Sequence, residues 1–308
     1  MLDRDTDDRQ GAAMATGDEA PAVHDTDPAA AFEFVRSLAT ELSGGRVELP
    51  SYPDVAIRVR QVLTDADVTN ERIARVIASD AGLATRMLIM ANSAALSRGG
   101  RPLTDLKLAV TRIGHDNVRS AALAYALAQI RAAGALEHIR ADLARLWSAS
   151  TLVAALARVI AVHTRACNPD EAMLAGLLHN VGSVYILARA DRHSALFASP
   201  ELRAELMCQW QANVGKAIAQ NWSLPERVCD AIGDQDVVER IDAGPRDIID
   251  VLGVAVRTSA FYGRDTRFET LMAGQPAFLR LGLDTAAWGR ILEASAEEIA
   301  GLRSALGD

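Results

Sequence analysis

The residues of this chain with the clearest capacity for chemistry are His179 and Asn180, which lie side by side between Gly176 and Gly182. An imidazole nitrogen can bind a divalent metal ion, and a bound metal can generate hydroxide from water at neutral pH. The simpler alternative is a buried histidine held by one local hydrogen bond. We favour that alternative, with Asn180 bonded to a backbone group or to His179, and with both glycines allowing close helix packing.

Other catalytic motifs are missing from the sequence. It contains no GxSxG elbow for a nucleophilic serine and no Walker-type phosphate loop. Four arginines could line a phosphate pocket near the His179 motif, although scattered arginines more often lie on the solvated surface. These arginines are Arg158, Arg165, Arg189 and Arg192.

Composition and charge restrict the class of protein. The chain has 308 residues, 50% of them hydrophobic, and a formal net charge of -8. Eight acids and two arginines lie within residues 1–30, and neither this segment nor the remainder has the basic stripe that nucleic-acid binding needs. The apolar stretches are interrupted before they reach membrane-spanning length, and the acidic start differs from a secretion signal. The three cysteines form no CxxC pair, so we expect a soluble cytoplasmic protein with free thiols and no membrane or DNA partner.

Helical periodicity runs through the chain, and no alternating strand pattern of useful length occurs. Thr69, Asp80 and Thr104 are placed as helix N-caps, Asp116 as a helix start, and Pro225 in a first helical turn. Asn168 and Pro169 begin the helix that carries residues 176–182. The sequence therefore predicts an all-α fold. The remaining predicted helices are Ala29–Leu42, Val55–Leu63, Leu143–His163, Glu201–Asn221, Arg246–Tyr262 and Ala286–Leu306.

Two further segments have a functional and a structural interpretation. Residues 109–130 have the outline of a helix-turn-helix, but Arg119 is the only basic residue near the start of the second helix, which favours a core helix over a DNA reader. Asn92 and Ser93 interrupt an apolar helix. They could mark a lobe junction or partner surface, but we favour a local network that bonds the neighbouring backbone.

Several segments of the chain resemble segments of one known family and occur in the same order as in that family. The motif around His179 resembles the central motif of the HD metal-dependent phosphohydrolases, with Asn180 in place of aspartate. Over roughly residues 46–265 the chain resembles the HDOD domains, which are non-catalytic relatives of those enzymes in bacterial signalling. Ala81 departs from the family, which often has proline there. The segments that carry the resemblance are Leu49–Pro53, Ile77–Asp80, Ala91–Ala94, Ala109–Gly114, Leu146–Ser150, Gly176–Gly182, Val214–Gly215 and Trp222–Pro225.

The resemblance implies that most metal ligands of an HD enzyme are absent. The first histidine position reads Ala149, the paired position reads His179-Asn180, and the late aspartate position reads Val256. Extra ligands of two-metal enzymes would fall near Gln211 and residues 234–235. We therefore expect no bound metal and no cofactor. The family signature positions are Asn92, Ser93, Trp147, Gly176, Gly182, Trp222 and Pro225.

The resemblance also implies a two-lobed architecture and a regulatory role. We expect a disordered acidic leader (1–28), an N-terminal helix and linker (29–48), an N-terminal helical lobe (49–135), an HD-like lobe (136–265) and C-terminal helices (266–308). The leading hypothesis is a non-enzymatic signalling module that binds a regulatory protein partner. One alternative is a sensor that binds a nucleotide messenger in the degenerate HD pocket, which is formed by Ala149, His179, Asn180 and Val256. The other is a residual metal-dependent phosphohydrolase, which Ala149, Asn180 and Val256 disfavour.

Overall fold

The fold is all-α, as predicted. A computed structural model describes residues 28–44, 54–97, 101–132, 134–189, 200–222, 224–237, 244–263 and 275–306, and no strand occurs among them. The predicted leader, the Leu49–Pro53 segment, Arg192 and Ser223 lie wholly or almost wholly outside these ranges. The helices of the first half are α1 (Pro28–Ser43), α2 (Asp54–Val62), α3 (Asn70–Ile77), α4 (Ala81–Asn92), α5 (Ala94–Ser97), α6 (Leu106–Ile113) and α7 (His115–Ala132). A 3-10 helix (Gly134–Ile139) leads to α8 (Arg140–Thr164), α9 (Pro169–Leu178), α10 (Val181–Leu187), α11 (Pro200–Asn221), α12 (Glu226–Gly233), α13 (Ile248–Ser259), α14 (Pro276–Leu281), α15 (Thr285–Ala294) and α16 (Ala296–Leu306).

Side-chain caps begin several of these helices, because a helix leaves its first amide groups without partners. Thr69 accepts a hydrogen bond from the Arg72 amide and Asp80 accepts one from the Leu83 amide, as predicted. The prediction for Thr104 is wrong, because Asp105 caps α6 through the amide of Leu108 (2.8 Å).

Gly114 ends α6 and leads directly into α7. Its φ of 78° lies in the region that favours glycine, and its carbonyl accepts from the Val118 amide (3.0 Å). That bond brings His115 into the first turn of α7, so the helix begins one residue before the predicted Asp116.

The long helix α8 lies at the centre of the second half and packs against α9, α13 and α16. By length and composition alone this helix could cross a membrane, so the expectation that the apolar stretches are interrupted before that length is wrong for α8. Most of its apolar window is buried against the neighbouring helices, however, and its fully buried residues include Leu156 and Ile160. Its apolar character is therefore accounted for by core packing.

Two predicted helices are each divided in two. The helix predicted to carry residues 176–182 ends at Leu178, and α10 starts at Val181. The helix predicted from Ala286 to Leu306 breaks at Ser295, whose amide bonds to the Ile291 carbonyl while its own carbonyl starts α16. Neither break contains the proline or glycine that would have indicated it.

Pro225 lies at the N-cap of α12 rather than inside its first turn, where the sequence predicted it.

Helices from both ends of the described chain also pack on the second half of the fold. Glu41 of α1 accepts hydrogen bonds from the Tyr185 hydroxyl (2.8 Å) and from Arg189, so α1 packs on the second half. At the other end of the chain, α16 contacts both α4 and α8, and Arg303 donates to the Ser148 hydroxyl (3.2 Å).

Candidate functional site

His179 lies at the break between α9 and α10 and is almost completely buried, with 4% of its surface exposed. Its Nδ1 lies 2.7 Å from the Gly176 carbonyl oxygen. Because a carbonyl only accepts, Nδ1 carries the proton of the neutral ring and Nε2 does not. Burial lowers the pKa of His179 to about 4, against a smaller opposing effect of the Gly176 hydrogen bond. The ring is therefore neutral at physiological pH, in agreement with the interpretation as a buried histidine.

Gln235 donates a hydrogen bond to a main-chain carbonyl at the C-terminal end of α9, although it lies 56 residues later in the chain. Its side-chain amide donates to the main-chain carbonyls of His179 (3.0 Å) and Ile232 (2.9 Å), and Gln235 is 2% exposed. Its Oε1 is buried and has no hydrogen-bond partner among the described residues. The family resemblance predicts that an extra metal ligand of two-metal enzymes would lie near residues 234–235. The structure instead shows an amide that joins the end of α12 to the helix break.

The two motif glycines are required by helix packing, as predicted. A Cβ atom on Gly176 would lie 2.7 Å from Cα of Ala154 in α8. A Cβ atom on Gly182 would lie 2.0 Å from the Gln211 carbonyl oxygen in α11 and 2.8 Å from the Gly215 amide nitrogen. All of these neighbours are backbone atoms, which cannot move aside without moving a helix.

Asn180 faces a small cavity instead of a hydrogen-bond partner. The predicted bond to a backbone group or to His179 is not formed, since the side chain makes none within the described part of the chain. The cavity has a volume of about 20 Å³ and is lined by Ser150 and by apolar residues that include Trp147, Leu177 and Val181. That volume holds about one water molecule and excludes a nucleotide.

The other two predicted ligand positions do not line this cavity. Ala149 on α8 and Val256 on α13 are both half-buried, and Ser150 faces the cavity beside Asn180. Neither alanine nor valine carries a donor atom. Within the ranges that the structure describes, no group of three His, Cys, Asp or Glu side chains is placed to hold a metal ion. One imidazole beside uncharged amides does not fit a divalent cation, which needs several ligands and charge compensation.

A polar chain occupies the predicted position of a further ligand at Gln211. The Ser183 hydroxyl donates to Gln211 Oε1 (3.1 Å), and the Gln211 amide lies 3.5 Å from Asp236 Oδ2. Asp234 follows α12 as its C-cap. These contacts join α10, α11 and the end of α12.

Two of the four candidate phosphate-binding arginines, Arg158 and Arg189, have structural partners. Arg158 pairs with Asp170, and its side chain is 13% exposed. Arg189 pairs with Glu41 and stacks on the Tyr185 ring at 3.3 Å, with 12% exposure. Arg158 and Arg189 thus belong neither to a phosphate pocket nor to the solvated surface. Arg165 is the left-handed C-cap of α8 (φ 55°).

The remaining signature residues stabilise local structure. The Asn92 side chain forms two hydrogen bonds to the backbone of Leu103, donating to its carbonyl (2.9 Å) and accepting from its amide (2.7 Å). The Ser93 hydroxyl donates to the Met90 carbonyl (2.8 Å). This geometry agrees with the local network favoured from the sequence. Trp147 and Trp222 are each 4% exposed and belong to the hydrophobic core.

Comparison with known proteins identifies the family. The chain matches the family model of the HDOD domain over residues 49–237, which is more than half of its length. The chain belongs to the HDOD domain family. The match covers the helix break at His179, both motif glycines and Gln235. The HDOD match ends before α13, so Val256 lies beyond it.

Relatives of known structure share this fold. A Shewanella amazonensis SB2B protein, named provisionally as a metal-dependent phosphohydrolase, is 25% identical with a TM-score of 0.70 over 90% of this chain and 99% of its own. An HDOD domain protein of unknown function from Geobacter sulfurreducens is 25% identical with a TM-score of 0.60, over 90% and 98%. An uncharacterized protein of Treponema pallidum (strain Nichols) is 24% identical over 79% of this chain. The alignment with this curated relative spans 48% of its length.

Proposed function

We propose that this HDOD protein is a non-enzymatic regulatory module of the bacterial cytoplasm that acts by binding a protein partner. The observation that carries the proposal is the buried, neutral His179, whose ring is hydrogen-bonded to the Gly176 carbonyl and pairs with no carboxylate of the described residues. A catalytic metal site needs charged ligands that converge on one point, and Ala149, Asn180 and Val256 supply none. A module without such a site transmits information through contacts with other molecules.

The packing of the motif supports this proposal. Gly176 and Gly182 allow α8 and α11 to approach the helix break at backbone distance, and Gln235 binds the carbonyl of His179. These contacts give the motif a structural role that does not require hydrolysis. They would hold α8, α10 and α11 in fixed relative positions, so that the exposed faces of these helices could bind a partner.

The two alternatives have weaker support. A nucleotide sensor that uses the degenerate pocket would need space beside Asn180, and the cavity of about 20 Å³ there is too small. A residual hydrolase agrees with the name of the Shewanella amazonensis relative. It would need a metal held largely by His179, whose Nε2 is the nitrogen available for coordination.

A phosphodiesterase assay on the full chain tests the non-enzymatic claim. With bis-p-nitrophenyl phosphate and added Mn²⁺, we expect the wild type to hydrolyse no faster than buffer with the same metal. His163→Ala is a matched control, because His163 is an exposed histidine on α8. Hydrolysis that His179→Ala abolishes and His163→Ala retains would refute the proposal.

The partner claim needs a separate measurement. A protein captured by the full chain from the source bacterium should be purified and titrated back, with a saturable and stoichiometric complex as the expected result. A captured protein that binds the heat-unfolded chain equally well would indicate non-specific adhesion and contradict the claim.

A further inference from the structure

A groove between α8, α10 and α11 lies next to the degenerate site. Its volume is about 270 Å³, more than ten times that of the cavity beside Asn180. Leu146 lines both spaces, so the groove and the small cavity are neighbours across one side chain. The groove is lined by Asp142, Arg145, Leu146, Ser183, Leu187, Arg203, Ala204 and Met207.

Two guanidinium groups meet on one carboxylate at this groove. Asp142 Oδ1 pairs with Arg145 on the same helix, and Asp142 Oδ2 lies 3.6 Å from Arg203 of α11. Among the residues that the structure describes, the groove lining contains no other charged side chain, so these lining residues carry a net positive charge in a chain whose formal net charge is -8. The Arg145 side chain is 75% exposed and that of Arg203 is 37% exposed. Both can therefore turn towards an incoming anion.

The other lining residues are largely apolar. Leu146, Leu187 and Met207 belong to the hydrophobic core or pack against it, and each presents part of its surface to the groove. A thioether and two leucines form a surface suited to a flat or apolar group. The groove thus combines a positive rim with an apolar lining.

We propose that this groove binds a small phosphorylated ligand with an aromatic or apolar portion, of the class of a nucleoside monophosphate. The phosphate would lie between Arg145 and Arg203, whose planar donors suit phosphate oxygens. The aromatic portion would lie on Leu146, Leu187 and Met207. This site is separate from the His179 motif and does not depend on the proposed protein partner.

Calorimetric titration of the full chain at low salt tests the site with three probes: GMP, guanosine and inorganic phosphate. We expect saturable binding of GMP with a Kd below about 1 mM. Guanosine and phosphate should each bind at least about tenfold more weakly. Guanosine lacks the phosphate that would contact the two arginines, and phosphate lacks the aromatic portion that would contact the apolar lining. The double variant Arg145→Gln/Arg203→Gln should weaken GMP binding by at least about tenfold, and added salt should weaken it in the wild type.

Arg140→Gln is the matched control, because Arg140 is an exposed arginine on α8 that pairs with Glu137 away from the groove. It should leave the Kd for GMP unchanged. Thermal melts of all variants show that each is folded, since exposed ion pairs contribute little to stability. The proposal is overturned if GMP shows no saturation, if guanosine binds as tightly as GMP, or if the double variant binds like the control.

Discussion

The side-chain amide of Gln235 donates a hydrogen bond to the main-chain carbonyl of His179, 56 residues earlier in the chain, at 3.0 Å. The carbonyl lies at the C-terminal end of α9, where helix carbonyls lose their intrahelical partners. The same amide bonds Ile232 in the last turn of α12. One buried glutamine therefore holds two helix ends together behind the His179 motif.

Replacing Gln235 by leucine should destabilise the fold. Leucine has a similar size but no donor, so the carbonyls of His179 and Ile232 would lose a buried partner. The expected loss in the free energy of unfolding is about 2 kcal/mol, from two hydrogen bonds of about 1 kcal/mol each. Urea unfolding measures it. Gln209→Leu, on the exposed side of α11, should change stability by less than about 0.5 kcal/mol, and an equal loss in both variants would contradict this role of Gln235.

Gly182→Ala should separate α10 from α11. The new Cβ would lie 2.0 Å from the Gln211 carbonyl oxygen, which is a backbone atom. We expect a loss of about 3 kcal/mol, at the upper end of the usual cost of overpacking. Gly289→Ala is the control, because a Cβ there meets nothing within 4 Å in the middle of α15. The control should gain up to about 1 kcal/mol, since alanine favours a helix over glycine. A neutral Gly182→Ala would show that the helices are not in close contact.

The buried His179 should make stability depend on pH. Its folded pKa of about 4 lies below its ordinary value of 6.5, so between these values the unfolded chain binds more protons. Stability is therefore fully present above pH 6.5 and falls as the pH drops towards 4, by up to about 3 kcal/mol. His179→Gln lacks this titration and should lose less stability over the same interval. Parallel pH curves for the two proteins in urea unfolding would contradict the burial of a neutral ring.

Asn92 should matter more for stability than its neighbour Ser93. Asn92→Ala removes both hydrogen bonds to the Leu103 backbone and should cost about 2 kcal/mol. Ser93→Ala removes one bond to the Met90 carbonyl within the same turn and should cost less than about 1 kcal/mol. Thermal unfolding of the two variants compares them directly. If Ser93→Ala proved the more damaging change, the stabilising role given to Asn92 would be wrong.

Local signals in the sequence were sufficient for much of the fold. Thr69, Asp80 and Asn168 accept hydrogen bonds from the amides that begin their helices, because capping depends on residues only a few positions apart. The break between α9 and α10 could not be predicted in this way. It is completed by the Gln235 side chain, and a contact across 56 residues leaves no periodic pattern in the sequence.

The candidate site was predictable in its glycines and its histidine but not in its surroundings. Gly176 and Gly182 have the packing roles that their residue type indicates. Asn180 makes no side-chain hydrogen bond within the described chain. The family resemblance predicts Ala149 at the position of the first metal ligand, but the residue that lines the cavity beside Asn180 is Ser150. Which of two adjacent residues on α8 faces the cavity depends on the rotation of the helix. That rotation is set by packing against α9 and α13.

The metal content of the purified protein distinguishes a structural His179 from a metal ligand. The full chain would be purified without chelator and its divalent ions counted by mass spectrometry, beside His179→Gln. We predict less than about a tenth of an ion per chain in both proteins, as too few ligands converge at the helix break. One ion per wild-type chain that disappears in His179→Gln would show that His179 binds a metal, and it would favour a metal-dependent hydrolase over the non-enzymatic module.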